Sequence, residues 1–483
     1  MSAQVEVKKD YTFYIHVIIT LFFMFIFGRI VPPVGPLTQM GMHCLGILIG
    51  VIYAWTTTSL IWPSFLGMVA MVTNGAYTMT EWLPLSFANS TVVFLLLIFA
   101  FTQVISDSGL VKFIASWLMS RKIVEGRPWL FTFFLLLGAY IGGVFVNSFA
   151  TSLIFWMILY DVCKTFGFKP YEKYPTMMIL GIVFCACTLG ASVLPYRLTA
   201  MVMIGTINSV APQWALNSTL YLLYIVPTTL LMVICYMLIM KFVFRIDLSR
   251  MKAISAKFVN PDDLKLSNLQ KVSMVFLLVA VVLLIAVDSI SSLSGLSTIG
   301  VILAIMAVMF LVKVDGEPLM DFAKAAKGIQ WQIIFLFAFI LPFSNYLTSD
   351  ATGIKTLLVN NAIPFFSSMS PFVFIFSVSF IGMILTNFTN NAVLSIMLIT
   401  MSVPICEGMG ISPLPLIMLN VFANQFAYLT PAASAPGAFV FANKDWVKPA
   451  DMYKIVPLTL FLLFIVACVI AFPYACLIFG FRI

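Results

Sequence analysis

Two short stretches place amides and hydroxyls in the middle of long apolar runs. The first reads Gly142-Gly143-Val144-Phe145-Val146-Asn147-Ser148-Phe149-Ala150-Thr151-Ser152, the second Leu385-Thr386-Asn387-Phe388-Thr389-Asn390-Asn391-Ala392-Val393. In hydrocarbon a freed backbone group needs a partner, so a helix can unwind there only where polar side chains serve it. The same oxygens and N–H groups can hold an ion or a carboxylate, and helix N-termini add positive partial charge for an anion. Asn147, Ser148, Thr151, Asn390 and Asn391 are therefore candidate binding residues, with Thr389 beside them. The competing reading gives these residues only capping and helix-joining roles.

Arg197 lies in Leu194-Pro195-Tyr196-Arg197, inside another apolar run. A charge at mid-membrane costs at least ~2.5 kcal/mol on insertion scales, so it calls for a purpose. A guanidinium fork suits a carboxylate through two parallel bonds, which makes Arg197 the candidate for neutralising an anion. An ion pair with an acidic residue, or snorkelling toward an interface, are the alternatives. A second proline break, Ser434-Ala435-Pro436-Gly437, adds Ser434 and Pro436 to the candidates.

Other groups carry less chemistry. The chain has two histidines, His16 and His43, which cannot build a histidine-rich metal site and read as packing or helix contacts. Asp107 and Asp350 end equivalent spans and read as turn caps; Glu407 reads as reaching the aqueous edge. Cys185 and Cys187 match neither a zinc nor a redox spacing, and the eight cysteines read as buried packing residues. No nucleotide-binding loop is present, and no nucleophile-with-base set points to an enzyme.

The elements that position these residues follow from composition. Of 483 residues, 62% are hydrophobic and 9% charged, against about 25% charged in soluble domains. Stretches of roughly 20 apolar residues recur, and uninterrupted runs such as Val272–Val287 exclude the alternation of a barrel. The expected fold is an all-α polytopic membrane protein. Eleven spans are predicted near 12–30, 40–56, 57–73, 90–106, 176–207, 215–240, 272–287, 295–312, 329–348, 412–442 and 455–481. Re-entrant hairpins are predicted at about 129–163 and 368–405. The run after Lys8 and Lys9 is long, lacks a small-residue cleavage pattern and leads into another span, so it reads as a retained first helix.

With the N-terminus in the cytoplasm, the 26 basic residues fall inside except Arg29, Lys355 and Arg482 outside and Arg197 within the membrane. The net charge of +8 is thus explained by topology rather than by nucleic acid. The C-terminus is expected outside, in a bacterial inner membrane. The halves echo each other: Asn147 and Asn391 each lie 38 residues beyond a glycine, Gly109 and Gly353, that follows a Ser-Asp span end. The hairpins enter from opposite sides, and inverted repeats with broken helices mark transporters that bind near the midplane. Expected boundaries are 1–127 and 272–367 for scaffold helices, 128–214 and 368–483 for the two transport-domain halves, and 215–271 for the end of the first half with a basic cytoplasmic linker. Within that linker, Pro261-Asp262-Asp263 is expected to cap a helix.

At Pro431-Ala432-Ala433-Ser434-Ala435-Pro436-Gly437-Ala438-Phe439-Val440-Phe441 and Val447-Lys448-Pro449-Ala450-Asp451-Met452 the chain resembles the divalent anion/sodium symporter family of the ion-transporter superfamily. That family carries a Ser-Asn-Thr motif at each hairpin tip and a Thr-Pro-Pro-Asn-like break in the following helix. The likeness covers nearly the whole chain in layout. It implies a homodimer and a mobile transport domain carrying both hairpins, an elevator arrangement. It also implies sodium positions at Asn147, Ser192, Asn391 and Ala433. Departures are Val146 at the first motif's serine, Asn390-Asn391-Ala392 at the second motif, and Pro195-Tyr196-Arg197 at the first break. The expectation is a secondary active transporter of small organic anions, di- or tricarboxylate-like, by sodium symport or anion exchange, with no cofactor beyond sodium. An inorganic oxyanion or monocarboxylate carrier, and less so a channel, are the alternatives.

Overall fold

The structure is a computed structural model that describes residues 11–120, 122–193, 197–253, 265–287, 295–357, 360, 369–430 and 433–480. Pro195 and Tyr196 of the first break, Pro431 and Ala432 before the second, and Pro261-Asp262-Asp263 lie outside them. The described chain is helical apart from one two-residue β-ladder, Lys313–Val314 with Glu317–Pro318. Eight described helices are long and apolar enough to cross a membrane, among them Tyr11–Ile30, Lys173–Val193, Ser218–Val243 and Pro449–Phe479. Six further apolar helices have 10–17 residues. This is an all-α, multi-pass membrane architecture.

The chain divides into two compact units. One comprises Met1–Val92 and Gln330–Ser368. Its helices Gln39–Thr57, Ile61–Thr73 and Trp331–Leu347 pack through large rings: Trp82 is fully buried, and Phe65 meets Phe335 edge-on at 4.5 Å. Thr38 accepts from Gly41 N as helix cap, while its own N–H donates to Thr352 O over 3.1 Å. His16 Nδ1 pairs with Tyr53 Oη at 2.7 Å, a contact between helices.

The other unit, Val93–Ile329 with Met369–Ile483, holds both polar stretches. Each stretch forms the tip of an antiparallel helical hairpin. The first has arms Pro128–Phe145 and Ser148–Thr165, of 18 residues each, joined through Val146 and Asn147. Gly138 faces Phe155 and Gly142 faces Thr151, the pairing that folding back at the tip dictates. The second has arms Pro371–Leu385 and Asn391–Gly408, with a longer tip, Thr386–Asn390.

A wider turn from Phe184 to Gly190, with π-type hydrogen bonding, presses against the first hairpin's inner arm. A Cβ added at Gly143 would collide with the Ala186 carbonyl, and one at Gly190 would come within 2.7 Å of Tyr140 O. Only glycine permits two helix backbones to meet so closely, which is how small residues serve helix packing in membranes. Tyr140 and Tyr221, both buried, fix the surroundings: Tyr140 Oη pairs with Thr229 Oγ1 at 2.8 Å, and Tyr221 Oη donates to Ser192 O over 2.6 Å.

Candidate functional site

Both hairpin tips are built by the same capping chemistry. Asn147 precedes Ser148–Thr165, and its Oδ1 accepts from Phe149 N at 3.0 Å and Ala150 N at 3.1 Å. Asn390 precedes Asn391–Gly408, and its Oδ1 accepts from Ala392 N at 3.0 Å and Val393 N at 3.3 Å. Asparagine is among the best N-caps because its short acceptor reaches donors that the helix leaves unserved. The cap of the second tip is thus Asn390, one residue before the Asn391 that matched by spacing from Gly353. The tips then align as Val146-Asn147-Ser148 and Thr389-Asn390-Asn391, which moves the second motif one place earlier than Asn390-Asn391-Ala392.

Arg197 stands at the start of the 13-residue helix Leu198–Val210, in extended conformation and without using its side chain as a cap. Its Nη2 instead donates to Ser148 Oγ over 2.8 Å. The guanidinium therefore lies against the first turn of the capped helix Ser148–Thr165. Two helix N-termini and a fixed positive charge come together here, a combination that favours an anion. Arg197 is half-buried and Ser148 is 8% exposed. Thr151, one turn beyond Asn147, is fully buried against Gly142 and its hydroxyl has no hydrogen-bond partner.

The second tip is bound by its own network. Thr386 Oγ1 donates to Asn424 O at 2.5 Å and lies 3.1 Å from Asn391 Oδ1. Asn387, 2% exposed, donates to Met383 O and Phe426 O and accepts from Leu429 N. Ser434 caps Ala435–Ala442 through Gly437 N and donates to Ala427 O at 2.6 Å, with Pro436 in the first turn where its fixed φ suits the helix.

The positions that the resemblance linked to sodium are engaged in the fold. Asn147 Oδ1 serves two backbone donors, Ser192 Oγ donates to Thr188 O at 2.7 Å, Asn391 Oδ1 faces Thr386, and Ala433 N donates to Thr430 O. No group of three or more His, Cys, Asp or Glu side chains able to hold a metal occurs among the described residues. Asp107 accepts from Gln103 Nε2, and Glu407 accepts from Gln213 Nε2 at 2.6 Å and Trp214 Nε1 at 3.1 Å, a tie between helix ends.

Sequence reasoning missed an aromatic seam between the two halves. Trp156 stacks on Phe439 with centroids 4.5 Å apart, Tyr160 stacks on Trp446 at 4.9 Å, and Asn443 Nδ2 donates to Tyr160 Oη at 2.6 Å. Phe149, beside the first tip, meets Phe439 edge-on at 5.4 Å. The seam sets the first hairpin's outer arm against the helix that follows the second break.

The multi-pass helical frame belongs to a membrane transporter rather than an enzyme, as its family and relatives show. The chain belongs to the citrate transporter (CitMHS) family, which matches residues 48–423. It is 25% identical over 155 residues to the uncharacterized transporter YfbS of Escherichia coli, covering 32% of this chain and 25% of that protein. Over 140 residues it is 24% identical to sodium-dependent high-affinity dicarboxylate transporter 3 of Caenorhabditis elegans, covering 28% of this chain and 23% of that one. These alignments thus span about a quarter of the relatives' length. In fold it is similar to the YdaH transporter of Alcanivorax borkumensis, with a TM-score of 0.59, 13% identity, and 83% and 89% of the two chains covered.

Proposed function

We propose that this chain is a secondary active transporter of small di- or tricarboxylate-like anions. The observation that carries the reading is the Arg197–Ser148 contact at the first hairpin tip. A guanidinium held at a helix N-terminus offers a carboxylate a bidentate partner and backbone donors together. Membership of the citrate transporter family and the partial match to a dicarboxylate transporter point to the same substrate class.

In this reading the body carrying both hairpins moves between the membrane faces as an elevator, in a homodimer, with the hairpins inserted from opposite sides as an inverted repeat. The basic loop bias supports a cytoplasmic N-terminus and an outer C-terminus in a bacterial inner membrane. The energy comes from sodium symport or from anion exchange, with Arg197 standing in for part of the positive charge that sodium would supply.

Uptake into proteoliposomes tests it across mono-, di- and tricarboxylates and sulfate, with and without sodium and with preloaded counter-anion. Saturable uptake with counterflow of a di- or tricarboxylate is expected. Sulfate or a monocarboxylate as sole substrate would reassign the class. Voltage-driven conduction without exchange would make the protein a channel.

A further inference from the structure

Lys241 lies in the last turn of the span Ser218–Val243, and its ammonium is held over two rings. It stands 5.7 Å from the ring centre of Trp129 and 5.3 Å from that of Phe242. Trp129 is the second residue of the first hairpin's inner arm, Pro128–Phe145, on which the helix of Lys241 packs. A cation within about 6 Å of an indole face is attracted by the ring quadrupole. The charge is therefore fixed where two helices meet, rather than left free on a long stem.

Further cations gather at the same end. Arg127 precedes the hairpin arm, Arg245 follows Lys241 by one turn, and the Lys252 carbonyl lies 4.0 Å from the point where a Gly126 Cβ would sit. All four basic residues are exposed. The carboxylates nearby are largely engaged. Asp247 accepts from Ser249 N at 2.8 Å and from Ser249 Oγ at 2.9 Å, and Glu172 pairs with Arg250 at 3.2 Å. Glu125 adds one exposed negative charge against Arg127, Lys241, Arg245 and Lys252.

Below Lys241 runs an apolar row. Ile234, Leu238 and Phe242 are exposed at i, i+4 and i+8 on one helix face, with Val243 beside them. A soluble anion would meet the cations and leave this row bare. A phospholipid uses both, with an acyl chain on the row and its phosphate at the ammonium. A zwitterionic headgroup carries its own cation into a basic cluster, whereas an anionic one does not. We infer that this edge binds an anionic phospholipid, its phosphate at Lys241 flanked by Arg127 and Arg245, and one acyl chain along Ile234, Leu238 and Phe242. The lipid would hold the foot of the first hairpin through Trp129. This site stands apart from the anion reading and needs no uptake to be seen.

The test is native mass spectrometry of the purified full-length protein in neutral detergent, titrated with phosphatidylglycerol or phosphatidylcholine of the same acyl chains. Phosphatidylglycerol is expected to bind at least about 30-fold more tightly at the first step, at about fivefold for each cation near an anionic group. Lys241→Gln should lose about fivefold of that preference, and Lys241→Gln with Arg245→Gln nearly all of it. Lys241→Arg should retain it, as should Lys324→Gln, which removes the same charge from another exposed helix. Equal binding of the two lipids, or a preference that survives the double variant, would overturn the site. So would an equal loss in Lys324→Gln, which would make net charge the cause. Displacement of the lipid by millimolar inorganic phosphate would show a free-anion site instead. A change of oligomeric mass in the double variant, with lipid count unchanged, would give the row to a second copy of the chain and likewise overturn the inference.

Discussion

Arg197 Nη2 donates to Ser148 Oγ over 2.8 Å, joining residues 49 positions apart at the starts of two helices. This bond fixes where the fork points.

Arg197→Ala should reduce initial uptake by about 10–150-fold, since a hydrogen bond to a charged group is worth about 1.5–3 kcal/mol. Arg197→Lys keeps the charge but loses the planar fork, and should recover only part of the rate. Ser148→Ala should cost less than Arg197→Ala. Wild-type uptake and affinity in both arginine variants would remove Arg197 from the site.

Asn147→Ala and Asn390→Ala should each destabilise by about 1 kcal/mol, the usual loss of an N-cap. Asn147→Asp and Asn390→Asp should restore most of it. Asn391→Ala should spare the cap. Thermal melts of the purified variants separate these cases, and a larger loss at Asn391 than at Asn390 would make Asn391 the cap and shift the tip by one residue.

Gly143→Ala should be poorly tolerated, because its methyl would press on the Ala186 carbonyl, and overpacking costs about 1–3 kcal/mol. Gly295→Ala, with open space around it, serves as the control. Yield of monodisperse protein and Tm report the difference.

Tyr160→Phe should leave Asn443 without its 2.6 Å hydroxyl partner and cost about 1–3 kcal/mol if that amide stays dry. Trp446→Ala removes the stack on Tyr160, worth about 0.5–1.5 kcal/mol beyond buried area. Combining the two should give less than the sum of the single losses, and strict additivity would argue against a shared seam.

The membrane class, the all-helical fold and the first tip could be read from residue order, since each rests on local composition. Within the predicted span 176–207 the described helices are Lys173–Val193 and Leu198–Val210, and within 412–442 they are Leu414–Ala423 and Ala435–Ala442. The second cap was harder. Counting 38 residues from Gly353, as Asn147 lies from Gly109, lands on Asn391, whereas the cap Asn390 lies one residue nearer, because the two stretches between glycine and cap differ in length. The wide turn at Phe184–Gly190 has no signature in a run of small and apolar residues. The rings of Trp156 and Phe439 look like any membrane aromatics until the fold stacks them.

The aromatic seam also bears on how the chain is made. Tyr160 emerges from the ribosome 283 residues before the Asn443 that bonds it. At about 5–20 residues per second, that delay is roughly 15–55 s. Throughout it the ring faces of Phe149, Trp156 and Tyr160 that meet Phe439 and Trp446 lack those partners, so lipid or other apolar surface must cover them until that segment arrives.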